Sequence, residues 1–252
     1  MKKIPIIIPY YKAENELKKC LSALESQSYK PIEIFVRDNS IDNILFTAAI
    51  NEGLKKYSCQ KEIDYIFILN QDAYVQEGTI EYLVKCMEGN PECGIACPIQ
   101  ISASGNAVYW GGSLEAFPFG RHRCDPLESY KSDFETYWAN GAAMLLRTEM
   151  IREIGLWDKN MKFIASDADY SFTARSRGWK VMVAYEARVY HSGGSASLAA
   201  NHYINQIKIK DTVYFIKKWL TNDLFKSLSF EGKNLTRMTI QVAIENLERE
   251  IR

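Results

Sequence analysis

Apolar and polar positions alternate in blocks along the first hundred residues, and each block has the period of a strand or a helix. Short apolar runs at 4–8, 32–36 and 65–69 predict strands. Apolar residues at helical spacing in 14–26 and 46–57 predict helices between them. A third helical stripe precedes the strand-like run "GIACPIQI". Strands that alternate with helices indicate right-handed crossovers and a largely parallel sheet, and therefore an α/β fold.

The pattern changes in the second half of the chain. Residues 105–135 are rich in glycine and aromatic residues, which is typical of a hairpin or an active-site loop. "AAMLLR" then predicts a strand, a short helix follows Thr148, and "SDADYSFTARSRG" predicts a helix that Ser166 caps and Gly178 ends. After "VMVA" and "ARVYH", the chain from about 202 is predicted to be helical. The last apolar stripe comprises Ile240, Ile244, Leu247 and Ile251.

Composition narrows the class of partner. The 252 residues include 31 basic and 31 acidic side chains, a balance that argues against a nucleic-acid partner and favours a small molecule. The six cysteines show no C-x-x-C spacing, which fits reduced thiols in a cytosol. No apolar run approaches the roughly twenty residues of a spanning helix, so we expect a cytoplasmic protein. Nothing in the sequence predicts an oligomeric state.

Glycine is missing from the turns where many nucleotide-binding folds need it. The first three strand-to-helix turns read "PYYKAEN", "RDNS" and "NQDA", and the first glycine in the chain is Gly53. Dinucleotide-binding Rossmann domains and P-loops are therefore excluded. The same turns offer Tyr11, which can stack on a base, and two carboxylates, Asp38 and Asp72, for a nucleotide and a divalent cation. They predict a nucleotide-diphosphate site without a glycine loop.

With these turns in view, the chain resembles a family-2 glycosyltransferase of the GT-A fold, in a rhamnosyltransferase-like subgroup. The resemblance lies in "IPIIIPYYKAENELKKCLSAL", "EIFVRDNSIDN", "FILNQDAYV", "WANGAAMLLRTEMIREIGLWDKNM" and "DADYSFTARSRGWKVMVAYEARVYHSGGS", in the family's order over roughly 4–197. It implies a Rossmann-like, mostly parallel sheet flanked by helices, with a helical C-terminal segment. It divides the chain into a GT-A domain at 1–201, with a nucleotide-sugar half at 1–100 and an acceptor half at 101–201, and a helical extension at 202–252.

The resemblance also implies roles for individual residues. Asp167 matches the general base, and Asp72 and His191 match the residues that hold Mn²⁺ or Mg²⁺ at the donor diphosphate. The residues that it assigns to the nucleotide are Pro9, Tyr11, Asp38, Asn51 and Gln71. The implied reaction is an inverting transfer of a hexosyl or deoxyhexosyl group from a nucleotide-diphosphate sugar to a saccharide or lipid-linked saccharide. A role in polysaccharide or glycoconjugate assembly follows by association only.

Two positions depart from the family pattern. Asn70 stands where the metal motif Asp-X-Asp has its first carboxylate, which predicts a lower metal affinity or a cation that arrives with the donor. Ser166 stands where a glutamate usually precedes the base, so the role of that glutamate has no equivalent here. The Q-x-x-R-W motif of processive synthases is absent from the sequence, which implies the transfer of a single sugar.

Aromatic residues in the loop region are candidates for the acceptor side, because aromatic faces stack on the C–H faces of sugars. The aromatic acceptor candidates are Trp110 and Trp138, and Tyr109, Phe117 and Phe119 lie in the same part of the chain. Asn140, in "WANGAAM", is a further acceptor candidate, because this stretch resembles the family's acceptor-side strand and an amide can hydrogen-bond a sugar hydroxyl. Packing in the hydrophobic core explains such aromatic residues equally well.

Every candidate also has a purely structural interpretation. Asp167 and Asp169 could interact with a helix N-terminus, and we expect capping for Asp169 but catalysis for Asp167. Asp38 could form an Asx-turn, Asp72 could be a turn residue, and a histidine such as His191 is often structural.

The sequence leaves two alternatives open, one for a C-terminal segment and one for the function. The segment "KIKDTVYFIKKWLTNDLFKSLSF" mixes lysine with large apolar residues, which fits a core-packed helix or an anchor on the inner face of a membrane. A catalytically silent sugar-binding or scaffold protein on the same fold remains an alternative to an enzyme. A nucleotidyltransferase is disfavoured, since the Gly-rich signature after the first strand is missing.

Overall fold

The three-dimensional structure is a computed structural model that describes most of the chain. The described residues are 2–102, 105, 108–113, 121–123, 126–193, 202–220, 244–246 and 248–249.

Strands and helices alternate in the first half, as the sequence pattern predicts. The strands are β1 (Ile4–Tyr10), β2 (Ile32–Asp38), β3 (Tyr65–Leu69), β4 (Ala73–Val75), β5 (Cys93–Ser102), β6 (Val108–Ser113), β7 (Arg121–Arg123), β8 (Phe134–Glu135), β9 (Ala143–Arg147) and β10 (Lys180–His191). The helices are α1 (Glu14–Glu25), α2 (Leu45–Tyr57), α3 (Thr79–Gly89), α4 (Thr148–Ile154), α5 (Ser166–Ser176) and α6 (His202–Leu220), with a 3₁₀ turn at Leu127–Ser129.

The central sheet is largely parallel, which confirms the predicted fold class. Its strand order is β2-β1-β3-β9-β5-β10-β4. Strand β1 pairs in parallel with β2 and β3, and β5 pairs in parallel with β10. Both groups run in the same direction, because β3 and β5 are each antiparallel to β9. Strand β9 lies between β3 and β5 and is antiparallel to both. Strand β4 is antiparallel to β10 at the edge. The α/β alternation alone does not predict these two reversed strands.

Both faces of the sheet are covered, because successive side chains of a strand point to opposite faces. Ile4, Ile6 and Ile8 of β1 belong to a core cluster that also contains Cys20 of α1 and Leu83 of α3. Ile7 and its counterparts in β3 belong to a second cluster on the other face, which includes buried residues of α2, α4 and α5. Continuous apolar strands are therefore buried on both sides by helices.

Helix α5 starts differently from the prediction. Ser166 does not cap it, because the helix already includes Ser166 and the capping position is Ala165, where no side chain bonds to the helix end. Ala165 has a left-handed backbone, with φ of 61°. The predicted end is confirmed, since Gly178 follows the helix with φ of 88°. "VMVA" and "ARVYH" form the single strand β10, whose register with β5 shifts between Ala184 and Arg188.

The Gly- and aromatic-rich region contains an antiparallel hairpin, which was one of the two structures predicted for it. Strand β6 pairs with β7 and also with the end of β5. Phe117 and Phe119 lie outside the described residues.

Helix α6 packs against the body of the protein, which supports the core-packed interpretation of its apolar side chains. Its buried apolar residues are Ile204, Ile207, Val213, Phe215, Ile216 and Trp219. Ile244 is also buried, whereas Ile240, Leu247 and Ile251 of the predicted last stripe lie outside the described residues. Among the helices described, none is long and apolar enough to cross a membrane. Five of the cysteines are free thiols in the described part of the chain, and Cys124 lies outside it.

We predict that Gly53→Ala destabilises the protein, although alanine is the better helix former. A Cβ on Gly53 of α2 would lie 2.6 Å from two carbons of the buried Ile7 side chain and 2.8 Å from a third. Overpacking costs about 1–3 kcal/mol, whereas the helix gains about 1 kcal/mol from alanine. The melting temperature should fall by about 2–4 °C for each kcal/mol lost. Gly89→Ala is the control, because a Cβ there meets no atom within 4 Å. Equal melting temperatures for both variants would contradict the packing argument.

Candidate active site

A cleft opens at the edge of the sheet where the parallel strands end. Its volume is about 480 Å³. Ligands of parallel α/β sheets bind beyond the carboxyl ends of the strands, which is where this cleft lies. The predicted site residues that line it are Pro9, Tyr11, Gln71, Asp72, Asn140, Asp167 and His191.

The polar end of β3 is held by two other parts of the sheet. The Asn70 N–H donates to the carbonyl of Ala142, just before β9, at 2.8 Å. The chain then turns into β4, whose antiparallel pairing with β10 sets Ala73 opposite His191. The Ser192 N–H donates to the Asp72 carbonyl at 3.1 Å, so the ends of β3 and β10 lie side by side.

Asp72 and His191, the two predicted metal ligands, are neighbours in the cleft. Asp72 is 2% exposed, and its Oδ1 lies 3.5 Å from the His191 Nε2. The other ring nitrogen of His191, Nδ1, is 3.3 Å from the Tyr109 hydroxyl. Asn70 faces the same cleft, and its buried Oδ1 has no hydrogen-bond partner among the described residues.

The side-chain oxygen and nitrogen atoms of Asp72, His191 and Asn70 are suitable ligands for a cation that also binds phosphate oxygens. A carboxylate, an amide oxygen and an imidazole suit Mn²⁺, and Mg²⁺ typically takes one or two carboxylates and completes its shell with phosphates and water. The described residues contain no group of three or more His, Cys, Asp or Glu that could hold a metal ion. The side chains described here would therefore supply only part of a coordination shell.

Tyr11 is held at the cleft by Gln71. The Tyr11 N–H donates to the Gln71 Oε1 at 2.8 Å, and the Gln71 Nε2 donates to the Tyr11 carbonyl at 3.3 Å. The Gln71 side-chain amide thus makes with the Tyr11 backbone the two hydrogen bonds that a neighbouring strand would make. Gln71 is 5% exposed, so both ends of its side chain are used inside the protein. Its geometry is that of a residue that positions Tyr11.

Asp38 and Asn51 do not line the cleft. Asp38 is exposed and accepts the Ser40 N–H at 2.7 Å in an Asx-turn, and its hydrogen bonds with Ser40 lower the pKa of its carboxyl. Asn51 pairs with the backbone of Trp157, donating to its carbonyl at 2.9 Å and accepting its N–H at 3.0 Å. Both ends of the Asn51 amide are thus used at Trp157, whereas Asp38 lies opposite Tyr10 in the β1–β2 pairing, one residue from Tyr11.

Asp167 faces the cleft from the first turn of α5. Its Oδ2 accepts the Gly141 N–H and its Oδ1 accepts the Ala168 N–H, both at 2.8 Å. Burial raises the pKa of the carboxyl, while these two backbone donors lower it. A Cβ on Gly141 would lie 3.1 Å from the Asp167 Cβ, so glycine permits the close approach.

Asp169 has a different role from Asp167, and it is not the predicted helix cap. Its carboxylate lies 2.8 Å from the Lys218 Nζ and accepts the Trp219 Nε1–H at 2.8 Å. It is 2% exposed and does not line the cleft. Asp169 therefore ties α5 to α6, and Asp167 is the carboxylate that is free to face a ligand.

The structure does not bring Trp110 to the cleft. The ring is fully buried and packs edge-on against Tyr130 and Phe134, with centroids 5.4 and 5.5 Å away. Core packing is thus the explanation for Trp110. Trp138 is 7% exposed and is not a lining residue either. Its ring packs against the imidazole of His122, with centroids 5.1 Å apart.

His122 lines the cleft and is absent from the predictions made from sequence. Its Nε2 is 3.3 Å from the Asn140 Nδ2, and its Nδ1 is 3.3 Å from the Trp110 carbonyl. The Asn140 Oδ1 accepts the Ala142 N–H, so the Nδ2 is a donor toward His122. These contacts fit a neutral imidazole protonated at Nδ1, and desolvation lowers the pKa of His122 accordingly. Its place beside aromatic residues, as one of three histidines in the chain, is the signal that could have identified it.

The backbone around the cleft is strained at several positions. Asn43, Leu45 and Ala165 line it and have φ of 32°, 68° and 61°, and Lys12 next to Tyr11 has φ of 46°. Residues other than glycine rarely adopt this region, and such outliers concentrate at ligand sites.

Comparisons with known proteins identify the family to which the chain is similar. A family model described as glycosyltransferase like family 2 matches residues 46–206. Glycosyltransferase GlyA of Streptococcus pneumoniae serotype 4 is 31% identical in an alignment 106 residues long, and the match covers 33% of this chain and 15% of GlyA. The chain thus spans less than a fifth of the length of that relative.

Solved glycosyltransferase structures share the fold. A crystal structure of GalNAc-T7 with UDP, GalNAc and Mn²⁺ superposes with a TM-score of 0.61 at 13% identity, over 76% of this chain and 43% of that one. Staphylococcus aureus TarS 1–349 gives 0.58 at 14% identity, over 99% and 72%. TarS 1–349 in complex with UDP gives 0.56 at 13% identity, over 98% and 70%. The family model covers more than half of the chain, and the protein therefore belongs to the family-2-like glycosyltransferases, with a GT-A fold.

Proposed function

We propose that this protein transfers a single hexosyl or deoxyhexosyl group from a nucleotide-diphosphate sugar to an acceptor hydroxyl, with inversion at the anomeric carbon. One observation carries the proposal: Asp167 and the Asp72–His191 pair line the same cleft. A carboxylate for the acceptor and a separate polar cluster for the leaving diphosphate are what an inverting transfer needs. The resemblance to a rhamnosyltransferase-like subgroup, which rests on Asn70, stays a prediction.

The donor would bind along the ends of β1 and β3. Tyr11, held by Gln71, would stack on the base, with Pro9 beside it, and Asp38, opposite Tyr10 at the end of β2, would accept a hydrogen bond from the nucleotide. Asn51 would reach the nucleotide only after releasing the backbone of Trp157. UDP is the nucleotide in two of the related structures, which makes it the first nucleotide to test here. Asp72, His191 and the Asn70 Oδ1 would hold a divalent cation. When bound, Mn²⁺ or Mg²⁺ offsets the negative charge that develops on the leaving diphosphate.

Asp167 would act as the general base. Its carboxylate takes the proton from the acceptor hydroxyl, whose oxygen attacks the anomeric carbon. The bond from that carbon to the diphosphate breaks, and its electron pair leaves with the diphosphate. The backbone donors Gly141 and Ala168 fix the orientation of the carboxylate. Burial raises its pKa and so makes it a better proton acceptor once it is ionised.

Asn140 and His122 would position the acceptor, since both line the cleft and are joined to each other. We propose a saccharide or lipid-linked saccharide as the acceptor, in the assembly of a polysaccharide or another glycoconjugate. Contact with the inner face of a membrane would follow from a lipid-linked acceptor.

Asp167→Asn should lower kcat by about 10²–10⁴-fold, the usual contribution of a general base. The donor is first chosen by thermal shift from a panel of UDP-sugars with Mn²⁺, because a ligand of the native state raises the melting temperature. UDP release then reports kcat, with calorimetry to show that UDP binding is retained. Asp64→Asn is the control, since Asp64 pairs with Lys2 far from the cleft lining. Near-normal turnover in Asp167→Asn, with the fold intact, would refute the assignment.

The rate should fall on the acid side at a higher pH than an ordinary aspartate would give. Burial raises the pKa of Asp167 above its usual range, and the base works only when ionised, so activity is lost as the pH drops through the raised pKa. The measurement is kcat/KM against pH, with UDP binding over the same range as a control for the donor. A rate that is constant down to about pH 4, the ordinary value for aspartate, would contradict this.

Asn70→Asp should tighten cation binding, because it adds a carboxylate at an oxygen that has no hydrogen-bond partner among the described residues. The Mn²⁺ concentration that half-saturates UDP binding should fall on the order of tenfold, or about 1.4 kcal/mol. Without metal, the added charge should weaken UDP binding by repulsion.

Asp72→Asn should abolish the dependence of UDP binding on Mn²⁺. If UDP binding in the wild-type protein ignores both Mn²⁺ and chelator, the metal role is wrong.

A further inference from the structure

A buried carboxylate of α6 holds a loop at the cleft. Asp211 is 2% exposed, and its Oδ2 accepts three successive backbone N–H groups, those of Lys162 at 3.0 Å, Phe163 at 2.6 Å and Ile164 at 3.0 Å. Hydrogen bonds to an ionised acceptor are shorter and roughly twice as strong as neutral ones. One side chain therefore satisfies three backbone donors.

The loop that Asp211 holds leads directly to the proposed base. Phe163 and Ile164 line the cleft, and the next residue, Ala165, takes the left-handed backbone from which α5 begins. Asp167 is the second residue of that helix. The backbone of 162–164 thus sets where α5 starts and where the Asp167 carboxylate points.

The same loop has a second fixed end, and α6 adds an apolar contact. The Thr47 N–H donates to the Lys162 carbonyl at 3.1 Å, which joins the loop to α2. Ile204 and Ile207 of α6 form a small buried cluster with Leu45, against which Phe163 packs. Ile204 and Leu45 both line the cleft. Helix α6 therefore forms part of the wall of the site.

A second anchor of α6 separates two explanations for Asp211. Lys218 pairs with Asp158 at 3.0 Å and with Asp169 at 2.8 Å. None of these three residues lines the cleft. In Lys218→Gln the Trp219 Nε1–H still binds Asp169 of α5, and Asp211 still binds the backbone of 162–164. Losing the Lys218 anchor should therefore loosen α6 and leave this loop held, whereas losing Asp211 should loosen both.

We propose that Asp211 is a positioning residue for sugar transfer, which acts through the 162–165 loop to set Asp167 in the cleft. The proposal rests on the function proposed above for Asp167. It makes α6 part of the transferase site, although the sequence assigns it to an extension that begins at residue 202.

The test compares Asp211→Asn with Lys218→Gln in the full chain. Both should lower the melting temperature. Asp211→Asn should lower kcat by on the order of 10²-fold, the loss that a misplacement of about 1 Å can cause, and Lys218→Gln should lower it at least about tenfold less. Calorimetry with UDP and Mn²⁺ should give the same Kd in both variants and the wild type, since the donor side is untouched. Hydrogen exchange of the peptide that covers 162–167 should rise in Asp211→Asn and stay unchanged in Lys218→Gln.

Asp211→Glu replaces Asp211→Asn if the asparagine variant does not fold. It keeps the charge and displaces the carboxylate by one methylene, so kcat should again fall while UDP binding is retained. A kcat within about twofold of wild type in the folded Asp211 variant, an equal loss in Lys218→Gln, or unchanged exchange at 162–167 would overturn the proposal. A wild-type protein that transfers no sugar would instead overturn the proposed function, while the exchange measurement still tests whether Asp211 holds the loop.

Discussion

The cleft depends on the insertion of β9, antiparallel, between β3 and β5. Because β9 runs against its neighbours, its first residues meet the last residues of β3, and the Asn70 N–H bonds to the Ala142 carbonyl. The turn before β9 carries Gly141, whose N–H binds the Asp167 carboxylate. A parallel strand between β3 and β5 would have placed its last residues, and not its first, beside the end of β3. The reversed strand therefore joins the part of the cleft that contains Asp72 to the part that contains Asp167.

Helix geometry explains why two nearly adjacent aspartates have separate tasks. Residues two apart on an α-helix point roughly 200° apart around its axis. Asp167 accordingly faces the cleft, and Asp169 faces α6, where Lys218 and Trp219 bind it. Both carboxyls have a raised pKa because both are buried. Asp169 and Asp211 together tie α6 to the cleft, since one binds α6 to the helix that carries Asp167 and the other binds the loop before that helix.

Side-chain amides near the end of β3 and in α2 also hold backbone segments in place. Gln71 pairs with both backbone groups of Tyr11, and Asn51 does the same with Trp157. An amide carries a donor and an acceptor in the geometry of a peptide group, so it can complete a backbone that has no neighbouring strand. The Gln71 pairing thus fixes the backbone of Tyr11 at the cleft, and the Asn70 Oδ1, which has no hydrogen-bond partner among the described residues, belongs to a residue that lines the same cleft.

The sequence by itself determined the elements and their order, because strand and helix periods depend on neighbours a few residues away. It also identified the strand ends that carry Tyr11 and Asp72, since in a parallel sheet such ends share one edge, and the family resemblance singled out Asp167 in the first turn of a helix. Only the tertiary structure decided which side chains face that edge. Trp110 entered the core, Asn51 turned to Trp157, and His122 joined Asn140. Asp211 reaches a loop 49 residues away. Contacts between residues so distant in the chain depend on how the layers pack, and no local pattern records that.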